Sequence, residues 1–318
     1  MSKLLPLFIS DTGLSEHDVL RIVRDAPIRY KTYRIPKRTE GTRVISQPAR
    51  ELKALQRILT AELLSKLPVH PAATAYRPGV SIRANAAAHA PNGPILKYDF
   101  KDFFPSITSK DWRNYCENNH VFDNDEDLWI STNILFQKRR GESRLTLAIG
   151  APSSPSISNI LMRDFDSTVS ALVAKDYVTY TRYADDLTFS ARRTGYLTVV
   201  DKILKKTLRD MKSPSLTLNP SKTAIATTKY KRFVTGLVLT NDGAVSLGHD
   251  RKRKIRATVH HVTLGKLSER QLAELAGMLA FVNDVEPQFL AKLERTYGVD
   301  LIQKIKTGRG SSKNFDLD

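Results

Sequence analysis

The chain has 318 residues, of which 41% are hydrophobic, so it is long enough for two or three subdomains with a substantial core, and disorder is excluded as the default. Fifty Lys and Arg against 33 Asp and Glu give a formal charge of +17, which favours nucleic acid or an anionic membrane surface as a partner. No segment approaches the roughly 20 apolar residues of a membrane span, and no secretion signal is recognisable. The single cysteine, Cys116, excludes an internal disulfide. We therefore expect a soluble, cytoplasmic protein with no membrane partner.

The first predicted elements are a helix, a hairpin and a second helix. Ser15, with Asp18 three residues later, caps the first helix. Alternating apolar and polar residues around a glycine-containing turn predict a hairpin that carries Lys37, Arg38 and Arg43. The next helix places four leucines on one face: Leu52, Leu55, Leu59 and Leu63.

The middle of the chain reads as strands separated by helices. The segment PILKYDFKDFFPS predicts a strand that stops before Pro105. The acidic run DNDED resembles the start of a calcium loop, but Leu128 and Ile134 stand where that loop needs Gly and Glu, so we expect a solvated acidic loop. Apolar residues at helical spacing predict two helices, SPSISNILMRDFDSTVSALVAK and DKILKKTLRDM. Between these helices lie two predicted strands, YVTYTRY and LTFSA.

The last third begins with a predicted hairpin, RFVTGLVLTNDGAVSLG, and then becomes helical from RKRKIRATVHHV onward. Ser268 and Gln271 form a capping box, Gly298 ends the last clear helix, and GRGSSKNFDLD is expected to be a frayed tail. This order of elements predicts an α+β fold with helices on one face of a sheet, followed by a helical end.

Two adjacent aspartates, Asp185 and Asp186, interrupt the strands TYTRY and LTFSA at the tip of the strand pair. Like charges in a sheet are unfavourable unless a cation compensates them. Asp99 ends another apolar strand immediately before a turn and supplies a third carboxylate. Carboxylates are the ligands of hard cations such as Mg²⁺, and two ions about 3.5–4 Å apart clamp the attacking and leaving oxygens of a phosphoryl transfer. The alternative is three exposed loop acids.

In this setting YADD resembles the catalytic box of reverse transcriptases. YDFKDFFPS resembles the first palm motif of that family, GAPSSPSISN the second, LTLNPSKT the lysine-bearing fourth, and RFVTGLVL the hairpin that grips the primer. NAAAH, from Asn85 to His89, and VTG, from Val234 to Gly236, are similar to the paired hallmarks of retron reverse transcriptases. The resemblance spans roughly residues 27 to 265.

The resemblance implies a right-hand polymerase fold with fingers, an antiparallel-sheet palm and a helical thumb. We expect the N-terminal helix and fingers in residues 1–94 and the palm in 95–240, with a fingers insertion at about 110–150. The primer-grip end, the thumb and the tail would follow in 241–318.

For the chemistry, the resemblance implies that Asp99, Asp185 and Asp186 are the catalytic residues and hold two Mg²⁺ ions. The hydroxyl of the growing strand would attack the α-phosphate of a deoxynucleoside triphosphate, and pyrophosphate would leave. Phe104 matches the ring that excludes a ribose 2′-hydroxyl, and Phe103 is the expected core residue.

Other nucleotide-binding residues follow from the same motifs. Arg43, joined by Lys37 or Arg38, would contact the triphosphate, and Lys222 would serve the leaving pyrophosphate. The backbone of Gly150 and Ala151 would approach the sugar. The sequence departs from the family at Ile149, where a glutamine usually contacts the nucleotide. Arg77 resembles a second fingers position.

Nucleic-acid contacts are expected in three places. Asn85 and His89 either buttress the palm or contact template RNA, and the Thr235–Gly236 backbone would lie against the primer. Residues 202–256 contain fourteen Lys or Arg against three Asp and no Glu, which indicates phosphate neutralisation. Within them we single out three cations of one predicted helix: Arg251, Arg253 and Lys254.

By analogy with retron enzymes, the partner would be a structured noncoding RNA together with its DNA product. Synthesis would start from the 2′-hydroxyl of an internal guanosine and leave branched, RNA-linked single-stranded DNA, within an anti-phage defence system that includes an accessory effector protein. Two alternatives stay open: a group II intron-like or diversity-generating reverse transcriptase, and a noncatalytic basic RNA-binding protein.

Overall fold

A computed structural model describes residues 2–36 and 41–308, and its mixture of helices and antiparallel strands confirms the predicted α+β class. Lys37, Arg38 and the predicted tail after Gly308 lie outside the described residues. The helices are α1 (Leu4–Thr12), α2 (Glu16–Asp25), α3 (Arg50–Glu62), α4 (Ile82–His89), α5 (Phe103–Ser106), α6 (Ser109–Asn118), α7 (Asp125–Leu135), α8 (Ser154–Leu161), α9 (Arg163–Ala174), α10 (Val200–Asp210), α11 (His249–Thr263), α12 (Glu269–Val285), α13 (Pro287–Tyr297) and α14 (Val299–Lys306). The strands are β1 (Tyr30–Pro36), β2 (Thr42–Pro48), β3 (Ile95–Asp99), β4 (Gln137–Lys138), β5 (Leu145–Thr146), β6 (Thr179–Tyr183), β7 (Asp186–Ser190), β8 (Ala224–Ala226), β9 (Arg232–Val234), β10 (Leu237–Leu239) and β11 (Val245–Ser246).

The chain divides into two compact units. The first comprises the described residues up to 80 together with 96–189 and 195–225. The second comprises 81–95, 190–194 and the described residues from 226 onward. None of the described helices is long and apolar enough to cross a membrane.

The first unit contains a four-stranded sheet in the order β6-β7-β3-β8, with α9 packed on β6 and on α10. Its aromatic core includes Phe100, Phe165 and Phe189, all fully buried. The predicted hairpin is confirmed as the antiparallel pair β1 and β2, in register from Tyr30 opposite Pro48 to Pro36 opposite Thr42. Strand β2 is joined to the residues that precede α8, because the Ser46 N–H donates to the carbonyl of Ile149 at 2.8 Å.

The second unit is built on a small antiparallel sheet in the order β11-β10-β9, against which α4 packs. Helices α11 to α14 surround an apolar cluster that includes Ile255, Val259 and Val262, so the helix predicted from RKRKIRATVHHV is present and buries an apolar seam. The Ser268–Gln271 capping box is present, and Gly298 ends α13 as predicted.

Several predicted elements differ from the observed ones. Helix α3 ends at Glu62, so Leu63 is only half-buried and Leu64 is buried instead. The long helix predicted before Lys175 is interrupted at Met162, which separates α8 from α9. The single hairpin predicted after Arg232 is a three-stranded meander, and α14 follows Gly298 where no helix was expected.

The prediction of a solvated loop at DNDED was wrong. Asn124 caps α7 by accepting a hydrogen bond from the Asp127 N–H, and Asp125, Glu126 and Asp127 form the first turn of the helix. Acidic side chains are favoured there because the N-terminus of a helix carries partial positive charge. Asp127 itself is buried.

Candidate active site

The end of β3 and the turn between β6 and β7 lie next to each other in the four-stranded sheet. The backbone N–H of Phe100, just after Asp99, donates to the carbonyl of Asp185 at 3.0 Å. Asp99 is the last residue of β3 and is 4% exposed, Asp185 is half-buried in the turn, and Asp186 begins β7. The structure therefore brings together the two strand ends that carry the three candidate acids.

Two of the three acids, Asp185 and Asp186, have raised pKa values, chiefly because burial disfavours their charged forms. Partial desolvation and the nearby charge of Asp99 raise the pKa of Asp185, although Lys222 and Arg43 oppose this. Asp186 keeps one side open to solvent, and desolvation of the other side together with Asp185 raises its pKa to about 6. The three carboxylates thus favour a cation in their midst.

Lys222 supplies one positive charge. Its Nζ donates to Oδ2 of Asp99 at 2.8 Å, from a short 3₁₀ turn, Pro220–Lys222. The Asn219 N–H donates to the carbonyl of Asp99 at 2.7 Å and fixes this turn beside β3. Desolvation lowers the pKa of Lys222, but the hydrogen bond to Asp99 and the three acids outweigh it, so the net shift is upward.

The turn that carries Asp185 is held by a buried ion pair that the sequence analysis did not predict. Nε and Nη2 of Arg182 donate to the two carboxylate oxygens of Asp166 at 2.9 and 2.6 Å, and both side chains are fully buried. Nη1 of Arg182 donates to the carbonyl of Ala184 at 3.1 Å. Ala184 precedes Asp185 and has a φ of +57°, a conformation that residues with a Cβ adopt at a cost. An arginine inside the apolar strand TYTRY was the only signal available.

Metal binding can be tested against the donor set of this site. All three candidate ligands are carboxylates, the donors that Mg²⁺ prefers, and two of them have raised pKa values that a divalent cation would lower. Among residues 2–36 and 41–308, however, no group of three or more His, Cys, Asp or Glu is arranged to hold a metal ion as it stands. The residue types and the negative charge of the three acids fit a divalent ion. Asp99 is hydrogen-bonded to Lys222, however, so the described residues do not form a complete set of metal ligands.

The candidate nucleotide-binding residues that the structure describes belong to the first unit, as the three acids do. Phe104 lies half-buried on α5, whereas Phe103 is buried and stacks on Phe100 with ring centroids 5.7 Å apart. Gly150 has a φ of +119°, and an added Cβ would lie 3.1 Å from both Ile45 Cγ2 and the Ser46 carbonyl oxygen. A larger residue at Gly150 would therefore push the second palm motif away from β2. Ala151 is buried behind it.

Arg43 is exposed on β2, and its charge opposes the upward pKa shifts of both Asp185 and Tyr76, which places the guanidinium in the electrostatic field of the site. Arg77 is held by backbone carbonyls, with Nη1 3.3 Å from the oxygens of Pro71 and Ala73.

In the second unit, the two residues of the NAAAH motif are interior. Asn85 and His89 are buried on α4, and Nδ1 of His89 lies 2.6 Å from the hydroxyl of Ser190, the last residue of β7. Asn92 donates to the same hydroxyl at 2.8 Å. Of the two roles considered for this motif, burial favours the structural one.

The turn Thr235–Gly236 joins β9 to β10, and both residues have positive φ, +47° and +79°. The Thr235 hydroxyl donates to the carbonyl of Ile82 at 3.2 Å. On α11, Arg251, Arg253 and Lys254 are exposed. Arg251 lies over the ring of Phe281 at 5.6 Å, and Lys252, on the same helix, pairs with Glu286.

A cavity of about 580 Å³ lies apart from the carboxylates. It is lined by Tyr30, Thr32, Val44 and Ser46 of the β1–β2 hairpin and by residues 137–142. Because side chains alternate along a strand, Val44 and Ser46 point to the opposite face of the hairpin from Arg43. This cavity is therefore not the site of the candidate catalytic acids.

The chain is similar to known proteins over most of its length. The family model described as reverse transcriptase (RNA-dependent DNA polymerase) matches residues 35–255. The Retron Ec83 reverse transcriptase of Escherichia coli is 38% identical over 293 residues, covering 92% of this chain and 94% of that protein. The Retron Ec86 reverse transcriptase of Escherichia coli is 32% identical, covering 93% of this chain and 91% of that protein. A solved structure of telomerase from Candida albicans with a fragment of telomeric RNA aligns with a TM-score of 0.46 and 13% identity over 87% of this chain and 61% of that one.

Proposed function

This chain belongs to the retron reverse transcriptases, which are RNA-directed DNA polymerases, and we propose from that premise that Asp99, Asp185 and Asp186 form its polymerase site. The observation that carries the proposal is the hydrogen bond from the Phe100 N–H to the Asp185 carbonyl, which joins the two acid-bearing strand ends. Lys222, Arg43 and the charge balance of the acids support it.

We propose that the three aspartates hold two Mg²⁺ ions. Bound there, the ions would polarise the attacking hydroxyl and neutralise the charge on the phosphates. Lys222 has a raised pKa and stays protonated at neutral pH, so it can donate to the leaving pyrophosphate. Arg43 would hold the triphosphate, and Phe104, half-buried five residues after Asp99, would pack below the sugar and exclude a 2′-hydroxyl.

The remaining residues of the site would position the substrates. The backbone of Gly150 and Ala151, which lies close to β2 because Gly150 has no side chain, would run near the sugar. The Thr235–Gly236 turn would lie against the primer. Residues 1–94 would form the N-terminal helix and fingers, 95–240 the palm with its fingers insertion, and 241–318 the primer-grip end, thumb and tail.

For the template, we propose a structured noncoding RNA held by the exposed cations of α11, Arg251, Arg253 and Lys254. Because the chain belongs to the retron reverse transcriptases, we propose that synthesis starts from the 2′-hydroxyl of an internal guanosine and yields single-stranded DNA joined to RNA by a branch. We also propose a role in anti-phage defence with an accessory effector protein. The cytoplasm, where transcripts and deoxynucleoside triphosphates are available, is the compartment that this function implies.

Asp185→Asn tests the proposed site. We expect the variant to lose DNA synthesis on its RNA and to retain RNA binding, because the substitution removes a charge from the site and leaves the basic surfaces unchanged. Asp164→Asn is the matched control, since the Asp164 side chain is 93% exposed on α9. Synthesis is measured by primer extension and binding by filter retention. Extension by Asp185→Asn at the rate of the control would refute the assignment.

Sequencing nucleic acid that copurifies with the protein tests the retron-specific part of the proposal. A branched RNA that carries single-stranded DNA is the expected product. Linear cDNA that starts from a separate primer would instead support a reverse transcriptase of another type.

A further inference from the structure

Tyr76 is an exposed aromatic residue in a backbone conformation that does not suit it. Its φ is +59°, in the left-handed region, and 52% of its surface is exposed. A glycine adopts this conformation without steric cost, whereas a bulky side chain does so only where the surroundings enforce it. Burial in the core does not explain a tyrosine at this position, because the side chain remains largely exposed.

The surroundings of Tyr76 connect it to the candidate active site. Its ring lies against that of Tyr183, with centroids 6.4 Å apart and planes tilted by 33°. Tyr183 is the last residue of β6 and stands two residues before Asp185. Partial burial raises the pKa of Tyr76, the charge of Asp185 raises it further, and Arg43 opposes the shift. The ring is therefore close to a candidate catalytic acid and to the cation proposed for the triphosphate.

We propose that the ring of Tyr76 stacks on the base pair that the incoming deoxynucleotide forms with the template, and that it contributes to base selection. This inference rests on the proposed polymerase site. The phosphates of the nucleotide already have Arg43 and Lys222, so an uncharged, flat and solvent-facing ring is suited to the other part of the ligand, the base. Aromatic rings serve this purpose in many nucleic-acid sites because every base presents a π face.

The strained backbone provides an unusually clean test. Tyr76→Gly removes the ring and at the same time relieves the unfavourable φ, so we expect the thermal midpoint to stay the same or rise. If the ring contacts the base pair, the KM for the correct deoxynucleotide should rise about tenfold, a typical loss for one base–aromatic stack. Misincorporation opposite a defined template base should rise as well. Tyr76→Phe keeps the ring and should behave like the unmodified protein.

Tyr177→Gly is the matched control. Tyr177 is also an exposed tyrosine with a positive φ, +56°, and it also packs against another tyrosine, Tyr196, with ring centroids 6.2 Å apart. It lies between α9 and β6, and its ring contact within the described part of the chain is with Tyr196 and does not lead to Asp185. We expect this variant to have an unchanged KM and an unchanged error rate.

Each outcome decides the inference. Tyr76→Gly with an unchanged KM and error rate would overturn it, as would a loss of stability and kcat without a change in KM, which would indicate a structural role. A Tyr76→Phe variant as impaired as Tyr76→Gly would show that the hydroxyl acts instead of the ring. Asp185→Asn, measured in parallel, distinguishes a failure of the proposed polymerase site from a failure of the proposed role of Tyr76. If it remains active, the proposed site itself fails, whereas its inactivity combined with a normal Tyr76→Gly refutes only the role of Tyr76.

Discussion

Arg182 and Asp166 are both fully buried, and two nitrogens of the guanidinium donate to the two oxygens of the carboxylate. Desolvation disfavours the charge on Arg182, but the paired carboxylate outweighs it and raises the pKa of the guanidinium. The remaining nitrogen donates to the carbonyl of Ala184, so the pair fixes the residue before Asp185. Arg182 is in this sense a positioning residue, which acts through the backbone of the turn.

Removing one partner of this pair should be far more harmful than removing both. Asp166→Ala leaves a buried guanidinium without its counter-charge, a change that costs about 3–5 kcal/mol of the free energy of unfolding. The double variant Asp166→Leu with Arg182→Met replaces the pair by apolar side chains and should regain most of that stability, as measured by urea denaturation. It still lacks the donor to Ala184, so its kcat in primer extension should remain low. A double variant that recovers activity together with stability would show that the pair serves folding alone.

The raised pKa of Asp186 predicts a specific pH dependence of stability in EDTA. A carboxyl group with a pKa of about 6 in the folded chain and about 3.9 in the unfolded chain favours folding when it is protonated. Its contribution is complete below pH 4 and is lost as the pH rises through 6. Relative to Asp186→Asn, the unmodified protein should therefore lose thermal stability between pH 4 and pH 7. Parallel curves for the two proteins over this range would contradict the shifted pKa.

At the level of single residues, the sequence revealed the charged groups that terminate strands and missed those that need a tertiary partner. Asp99 and the Asp185–Asp186 pair stand out because acids interrupt apolar strands. Arg182 does not, since its partner is sixteen residues away on another element. The NAAAH motif was visible, but whether His89 faces solvent or the interior depends on the contact with Ser190, which no local pattern encodes.

Helix α1 depends on a side chain far away in the sequence. The carboxylate of Asp127, at the start of α7, accepts hydrogen bonds from the N–H groups of Lys3 and Leu4 at 3.0 and 3.1 Å. These N–H groups at the start of α1 have no partner within the helix. Asp127 also accepts from the hydroxyl of Ser2 and from the side chain of Asn124, and it is buried. One carboxylate thus joins the N-termini of two helices.

Asp127→Ala should release α1. Loss of a helix cap costs about 0.5–2 kcal/mol, and the N–H groups left unsatisfied add to this. We expect faster amide hydrogen exchange throughout Leu4–Thr12 and a lower urea midpoint. Asp123→Ala is the control, because Asp123 pairs with Lys3 while both side chains remain more than 70% exposed, and such pairs contribute little. Equal exchange in the two variants would mean that Asp127 does not hold α1.

At the level of elements, sequence periodicity located the long amphipathic helices and the strands of four or more residues. It failed where an element is short or where tertiary contacts decide. Strands β4, β5 and β11 have two residues each, too few for an alternating pattern. The interruption at Met162 leaves the helical spacing intact, so α8 and α9 read as one helix. The acidic run before α7 was misjudged because its composition suits both a loop and the first turn of a helix.

For the whole molecule, the order of the predicted elements gave the correct fold class. The net charge favoured nucleic acid or an anionic membrane surface as the partner, and only the family decides for nucleic acid. The charge of +17 does not show where the positive surface lies. In the second unit, α11 buries Ile255, Val259 and Val262, and its exposed side carries Arg251, Arg253 and Lys254. A cationic face on an otherwise well-packed helix is consistent with binding to phosphates.

The binding of RNA should therefore depend steeply on salt, and part of that dependence should belong to α11. Each phosphate contact contributes about 0.7–0.9 to the slope of log affinity against log salt. Replacing Arg251, Arg253 and Lys254 by alanine should weaken binding at low salt and reduce the slope by about 2 to 3.

The control variant loses the same charge elsewhere, at three exposed cations of other helices: Arg24, Arg57 and Lys110. If the RNA is attracted only by the total charge of the protein, both variants should show the same reduction in slope. If α11 carries a defined phosphate-binding face, only the α11 variant should change the slope. Fluorescence anisotropy with labelled RNA from 50 to 400 mM KCl, a range of about eightfold in salt, measures both slopes, and equal slopes would remove α11 from the RNA interface.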